Sequence, residues 1–331
     1  MREGFAYEYL APPARSFAAL FPYYAGFRDM ARLLRLEGQT RAGHGNWGGA
    51  INSDLDCIRF GVHICRGATL IGMLVGRAIQ GIGRRDAWKY ADRLSAAQAR
   101  AAARRMEDIV ARQVPFADTL REEKWCGQAG LIEMVRSGGV SAAGLTIGAV
   151  VGGGAPSSAS DVMERLRCLL YGKRGLIRNY TRYMDQLAAN ARRPYAARLG
   201  PPKIPTDPLT RILVPVFVKA RWMAVTNETQ NAMLAVKLAL RAYRVEHGRY
   251  PDRLEELAPA YLKKIPDDPC ALRGPLLYRK LGAKYVLYSI GPDGRDDGGL
   301  AVNDPTRTNP RDRCRVEEIS RGDIVAGINI Y

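Results

Sequence analysis

The residues best suited to chemistry stand near the C-terminus, in Gly291-Pro292-Asp293-Gly294-Arg295-Asp296-Asp297-Gly298-Gly299 and the later Gly322-Asp323-Ile324. Ca²⁺ takes about six to eight oxygens from carboxylates and carbonyls on a pliant backbone, and Asp293, Asp296, Asp297 and Asp323 can supply carboxylates. The same residues also suit a solvated acidic β-turn, since Asp-Gly favours turns without metal.

Other reactive residue types do not assemble into a motif. His44, His63 and His247 fall in different segments, outside any Ser/His/Asp or metal-binding pattern. His44 reads as a turn residue, His247 as a helix-end residue, and His63 as a hydrogen-bonded core histidine. Glu122-Glu123 is expected to be a charged helix surface rather than an acid/base pair. Six cysteines, Cys57, Cys65, Cys126, Cys168, Cys270 and Cys314, show no CxxC and no Cys/His cluster, so zinc-site spacing is absent. Cys270 and Cys314 are a candidate disulfide in an oxidising compartment. A glycine-rich stretch from Gly138 to Gly154 has neither the Lys-Ser/Thr nor the preceding strand of a phosphate loop, and reads as a surface loop. The expectation is that the protein is not an enzyme.

The elements that must position these residues begin with helices. Between Phe17 and Arg41 apolar residues recur every three or four positions, and Ala50 to Ile64 repeats the pattern after a Gly-rich turn, which predicts a helical hairpin. Further helices are predicted over 69–83, 86–93, 95–113 and 115–135, with Ser95 and Gln98 forming a capping box. Two more follow, from Asp161 and from Leu176. Pro201, Pro202 and Pro205 mark a linker at 201–206. Pro208 to Glu246 is expected to be one long helix with a single apolar face, stopped at Gly248 and Pro251. Leu276-Arg279 and Tyr285-Ile290 alternate as antiparallel strands joined by a Gly282-Ala283 turn.

Length and charge set the outer bounds. With 331 residues the chain is long enough for two cores, and 47% hydrophobic content with a mean hydropathy of −0.21 excludes a multi-span membrane protein. No uncharged apolar stretch reaches about 18 residues, because Lys219 and Arg221 interrupt the one starting at Ile212. Residues 1–14 lack signal-peptide features, so the chain is expected to be cytoplasmic or to follow an anchor upstream. Of the net charge of +17, residues 1–206 contribute +13 (30 Lys and Arg against 17 Asp and Glu). That basic half can meet an anionic surface, although it lacks the aromatic interleaving of a specific nucleic-acid binder.

The order of residues in the C-terminal part resembles the globular half of type II secretion major pseudopilins. The resemblance rests on Ala239-Leu240-Arg241-Ala242-Tyr243 leading to Gly248-Arg249-Tyr250-Pro251, on Tyr261-Leu262-Lys263-Lys264-Ile265-Pro266, on the two strands, and on Gly291 to Gly299 with Asp323-Ile324. It implies a spine helix on a small antiparallel sheet and a calcium loop. Asp293 and Asp323 would be side-chain ligands and Ile290 a carbonyl ligand, with Asp296 and Asp297 as additions. A long insertion, Leu300 to Arg321, separates the two halves of that loop, and the charged, late-starting spine departs from a pilus subunit. The N-terminal region resembles helical parts of uncharacterised bacterial envelope proteins, which carries no activity with it.

The expected architecture is therefore α+β: an all-α domain of helical hairpins over 1–200, a linker at 201–206, and a pseudopilin-like domain over 207–331. The expected function is a structural or binding protein of the bacterial envelope with a calcium-stabilised domain and a protein partner. The alternative is a basic helical adaptor that binds nucleic acid or anionic lipid.

Overall fold

A computed structural model describes residues 2–7, 9–14, 21–136, 159–196 and 208–329. The glycine-rich stretch and the 201–206 linker lie outside the described residues. The chain is α+β: helices α1 (Tyr23–Gly43), α2 (Trp47–His63), α3 (Leu70–Tyr90), α4 (Ala96–Ala111), α5 (Phe116–Arg136), α6 (Ala159–Ala191) and α7 (Pro208–His247) precede a three-stranded antiparallel sheet.

Local chemistry explains most of the boundaries. The α1–α2 turn uses Gly45 at φ 73°, and the Asn46 side chain accepts from Gly49 N at 2.8 Å to cap α2. Ser95 and Gln98 form the expected capping box on α4. The segments expected as two helices over 69–93 form the single helix α3 with a 3₁₀ turn at Ala91–Arg93. The glycines of α3 serve contact rather than termination: a Cβ on Gly83 would stand 2.5 Å from the carbonyl oxygen of Asp54 on α2. The two helices expected after Asp161 join as α6, broken at Gly172, whose φ is 61°.

Helix α7 runs unbroken through Lys219 and Arg221. Arg221 is accommodated because its guanidinium donates to Asn190 Oδ1 and to the Arg193 carbonyl oxygen. Its central part is not amphipathic, as the apolar spacing suggested, but enclosed. Every residue from Thr229 to Leu240 is buried. One core joins Leu55 and Ile58 of α2, Ala99, Ala103 and Met106 of α4, Met233, Val236 and Leu240 of α7, and Leu262, Leu287 and Ile324 beyond it. Alanines on both α4 and α7 permit close approach, and burial of this apolar surface is the main stabilising term. A second cluster joins Phe116 and Leu120 of α5 to Tyr180 and Met184 of α6 and Phe217 of α7.

A polar layer crosses the α3–α7 contact. The fully buried Arg84 guanidinium donates to Asn231 Oδ1 at 2.6 Å, Asn227 Oδ1 at 3.0 Å and Gln230 Oε1 at 2.6 Å. Gln80 Oε1 accepts from both Asn227 and Asn231 at 2.8 Å. Burial lowers the Arg84 pKa to about 10, with the neighbouring Arg77 adding repulsion.

In the sheet, β1 (Leu277–Leu281) pairs with β2 (Lys284–Ser289), placing Leu277 opposite Tyr288 and Leu281 opposite Lys284. Gly282 at φ 58° supplies the two-residue turn. The short β3 (Ile324–Val325) pairs on the other side of β2, Ser289 opposite Ile324. No helix among the described residues is long and apolar enough to cross a membrane.

Candidate functional site

The pairing of β2 with β3 brings the two halves of the acidic loop together. Ser289 ends β2, and Asp323 immediately precedes β3, so Ile290 to Gly299 must pass Asp323. Gly291 lies against the Gly322 carbonyl with φ 68°, an approach that leaves no room for a Cβ. The loop returns alongside Asp323, which donates its N–H to the Leu300 carbonyl at 2.8 Å. Gly299 crosses the outer face of β2, where a Cβ would stand 2.8 Å from Val286 Cγ1.

The carboxylates are gathered in one loop and turned mainly onto backbone amides. Asp323 is fully buried: its Oδ2 accepts from Gly299 N at 2.7 Å and its Oδ1 from Asp297 N at 3.4 Å. Burial raises its pKa to about 6, and the negative charges of Asp296 and Asp297 add to the rise. Asp293 accepts from Arg295 N and Gly322 N, both at 3.2 Å. Asp296 Oδ1 accepts from Gly298 N at 2.9 Å and from the Tyr288 hydroxyl at 3.1 Å. Asp297 is exposed. Ile290 donates its N–H to Asp268 Oδ2 at 3.0 Å. Among the described residues no three His, Cys, Asp or Glu side chains converge as a bound metal ion requires. The donor set is nonetheless hard oxygen, which suits Ca²⁺ in kind.

Two residues that organise this site were not assigned to it from the sequence. Buried Asp268 accepts from Ser289 Oγ at 2.7 Å, Cys270 N at 2.9 Å and Ile290 N, pinning the end of β2. Its bond to the amide two residues on is an Asx-turn, a signal available in Asp268-Pro269-Cys270. Asn329 accepts from Val325 N at 3.0 Å and donates to the carbonyls of Val302 and Cys314, at 3.0 and 2.8 Å. It thereby ties the 300–321 insertion to β3. The same insertion reaches α7, where Trp222 Nε1 donates to the Val316 carbonyl at 3.4 Å.

The remaining candidates are dispersed. Cys270 and Cys314 are both free thiols, and burial pushes Cys270 up to about 12. His63 is a core residue but not a hydrogen-bonded one at Nε2, which has no partner; burial lowers its pKa. His44 bonds to the Thr40 carbonyl and His247 lies 3.1 Å from the Tyr261 hydroxyl. Glu123 is not simply a charged surface: its Oε2 accepts from Leu70 N at 2.8 Å, supplying the first turn of α3 with the cap that Thr69 does not make.

No family model, curated protein or solved structure matches the chain.

Proposed function

We propose that this chain is a non-enzymatic structural or binding protein of the bacterial envelope, a pseudopilin-like unit that works singly rather than as a polymer and whose acidic loop takes Ca²⁺. The observation that carries the reading is the burial of every residue from Thr229 to Leu240 on α7. A spine helix that packed against neighbouring subunits would need one free face. Here α4 and the polar layer of α3 occupy one side, and the 250–290 segment with its sheet covers the other. A protein partner is left with the outer helices and loops and with the earlier part of α7, where Val216 and Met223 are exposed.

For the metal, Asp293, Asp296, Asp297 and Asp323 would provide carboxylates and Ile290 a carbonyl. The ion would relieve the mutual repulsion that helps raise Asp323. It would hold Gly291–Gly299 against β3 as a calcium-dependent staple.

Light scattering on the purified full chain, with Ca²⁺ and with a chelator, tests the first part. A monomer is expected in both, and filaments or large assemblies would refute it. Thermal unfolding under the same two conditions tests the second. Wild type should melt higher with Ca²⁺ and Asp293→Ala should lose the shift, whereas an unchanged wild-type midpoint removes the metal.

A further inference from the structure

The outer face of α6 carries a row of cations that form no ion pair among the described residues. Arg174, Arg178 and Arg182 recur every four residues, so they project from one side of the helix. All three are exposed, and none forms an ion pair among the described residues. Arg178 and Arg182 border a shallow groove of about 520 Å³ shared with Thr181, Asp185, Gln186 and Ala189. The carboxylate in that groove is already matched, because Lys124 Nζ of α5 lies 2.7 Å from Asp185 Oδ1. Between residues 174 and 193 the helix and its continuation hold five arginines against one aspartate.

The neighbouring face of α5 exposes two large apolar side chains. Lys124 sits 4.7 Å from the ring centre of Trp125, which is 59% exposed. Ile132, seven residues on and so on the same helical side, is 41% exposed. Gln128, between them in sequence, donates to Thr181 Oγ1 at 2.6 Å, which fixes this apolar pair beside the arginine row. The exposed carboxylate of Glu133, next to Ile132, has Arg136 three residues away.

We propose that the α5–α6 face is a peripheral docking surface for an anionic lipid bilayer. Trp125 and Ile132 would enter the headgroup boundary, and Arg174, Arg178 and Arg182 would meet lipid phosphates. A large aromatic and an aliphatic side chain beside unpaired cations is the arrangement that seats a helix in a membrane interface. Each cation near an anionic surface adds to the attraction, and an apolar anchor beside three of them favours reversible binding. Nucleic acid is the less fitting polyanion, since stacking on single strands uses several aromatic platforms along a basic groove and this face has one. The inference goes beyond the reading above and does not depend on the acidic loop or on Ca²⁺.

The test is co-flotation of the full chain with vesicles of phosphatidylcholine alone and of phosphatidylcholine mixed with phosphatidylglycerol. Binding is expected only to the anionic vesicles, weakening as salt is raised, with a blue shift of tryptophan emission that Trp125→Ser abolishes. The double variant Arg178→Gln/Arg182→Gln should bind at least tenfold more weakly. The charge-matched control Arg273→Gln/Arg279→Gln, far along the chain at exposed positions, should bind as wild type does. All four arginines are exposed, so circular dichroism should be unchanged and folding does not confound the comparison. Equal loss in both double variants would mean only that total charge attracts the protein, and would overturn the assignment. So would no binding, binding indifferent to phosphatidylglycerol, or tighter binding to a single-stranded oligonucleotide that the Arg178/Arg182 variant also weakens.

Discussion

The backbones of Gly61 on α2 and Gly76 on α3 touch: a Cβ on Gly76 would stand 2.5 Å from the Gly61 carbonyl oxygen, and a Cβ on Gly61 would strike the Gly76 carbonyl. This crossing sets how near the two helices lie, and it lets Cys57 and Phe60 of α2 meet Ile79 of α3 in one cluster. Gly61→Ala should therefore lower stability by about 1–3 kcal/mol, as overpacking of a tight contact does. Urea denaturation checks it, and an unchanged midpoint would show that the helices can part without cost.

Asp54 is fully buried between α1, α2 and α3 with neither carboxylate oxygen partnered. Burial, reinforced by Asp86, raises its pKa from 3.8 to about 9. The folded state therefore holds this proton more tightly than the unfolded state. The stabilising contribution is fully present below about pH 4 and fades as pH rises toward about 9. Asp54→Asn, neutral throughout, should be more stable than wild type near pH 8, with the advantage shrinking toward pH 5. Melting temperatures across that range check the sign.

Arg84 is the only cation bonded into the α3–α7 amide layer among the described residues, and Arg84→Met would leave the oxygens of Asn227, Gln230 and Asn231 short of a donor. Each buried acceptor left unsatisfied costs about 1–3 kcal/mol. The loss should be about 3 kcal/mol or more, measured by chemical denaturation. A near-neutral result would mean that water replaces the guanidinium.

Asp268 holds two groups at the end of β2 and the Cys270 amide, and Asp268→Ala should release the Ile290 amide. Faster hydrogen exchange at Ile290 and Cys270, with a loss of about 1–3 kcal/mol, is the expected outcome. Exchange rates equal to wild type would show that the strand end is held by the β3 pairing alone.

Asp323 adds a pH signature to the calcium reading. Its pKa of about 6 lies above the ordinary carboxylate value, so its own contribution to stability is lost as pH rises through 6. Ca²⁺ needs the ionised form. Calcium stabilisation, read as a rise in melting temperature, should thus be larger at pH 8 than at pH 5, approaching about 2.7 kcal/mol at a hundredfold excess over Kd.

The sequence by itself determined the local structure, because that structure depends on neighbours in the chain. The Ser95–Gln98 cap, the Gly282 turn, the two paired strands and the long helix ending at His247 were all legible from spacing and residue type. The shared location of Asp293, Asp296 and Asp297 was legible too, since they lie within five residues of one another. Which partners Asp293 and Asp323 choose was not, because the Gly322 amide reaches Asp293 and the Gly299 amide reaches Asp323 only once β3 has paired with β2. Helix α7 shows the same limit more strongly. Its apolar spacing suggested one buried face, and nothing in that spacing assigned a role to Asn227, Gln230 and Asn231. The packed structure buries them against Arg84, more than a hundred residues earlier, and closes the helix on every side between Thr229 and Leu240. Periodicity records how many apolar side chains a helix offers, whereas long-range pairing alone decides whether its polar ones find donors away from water.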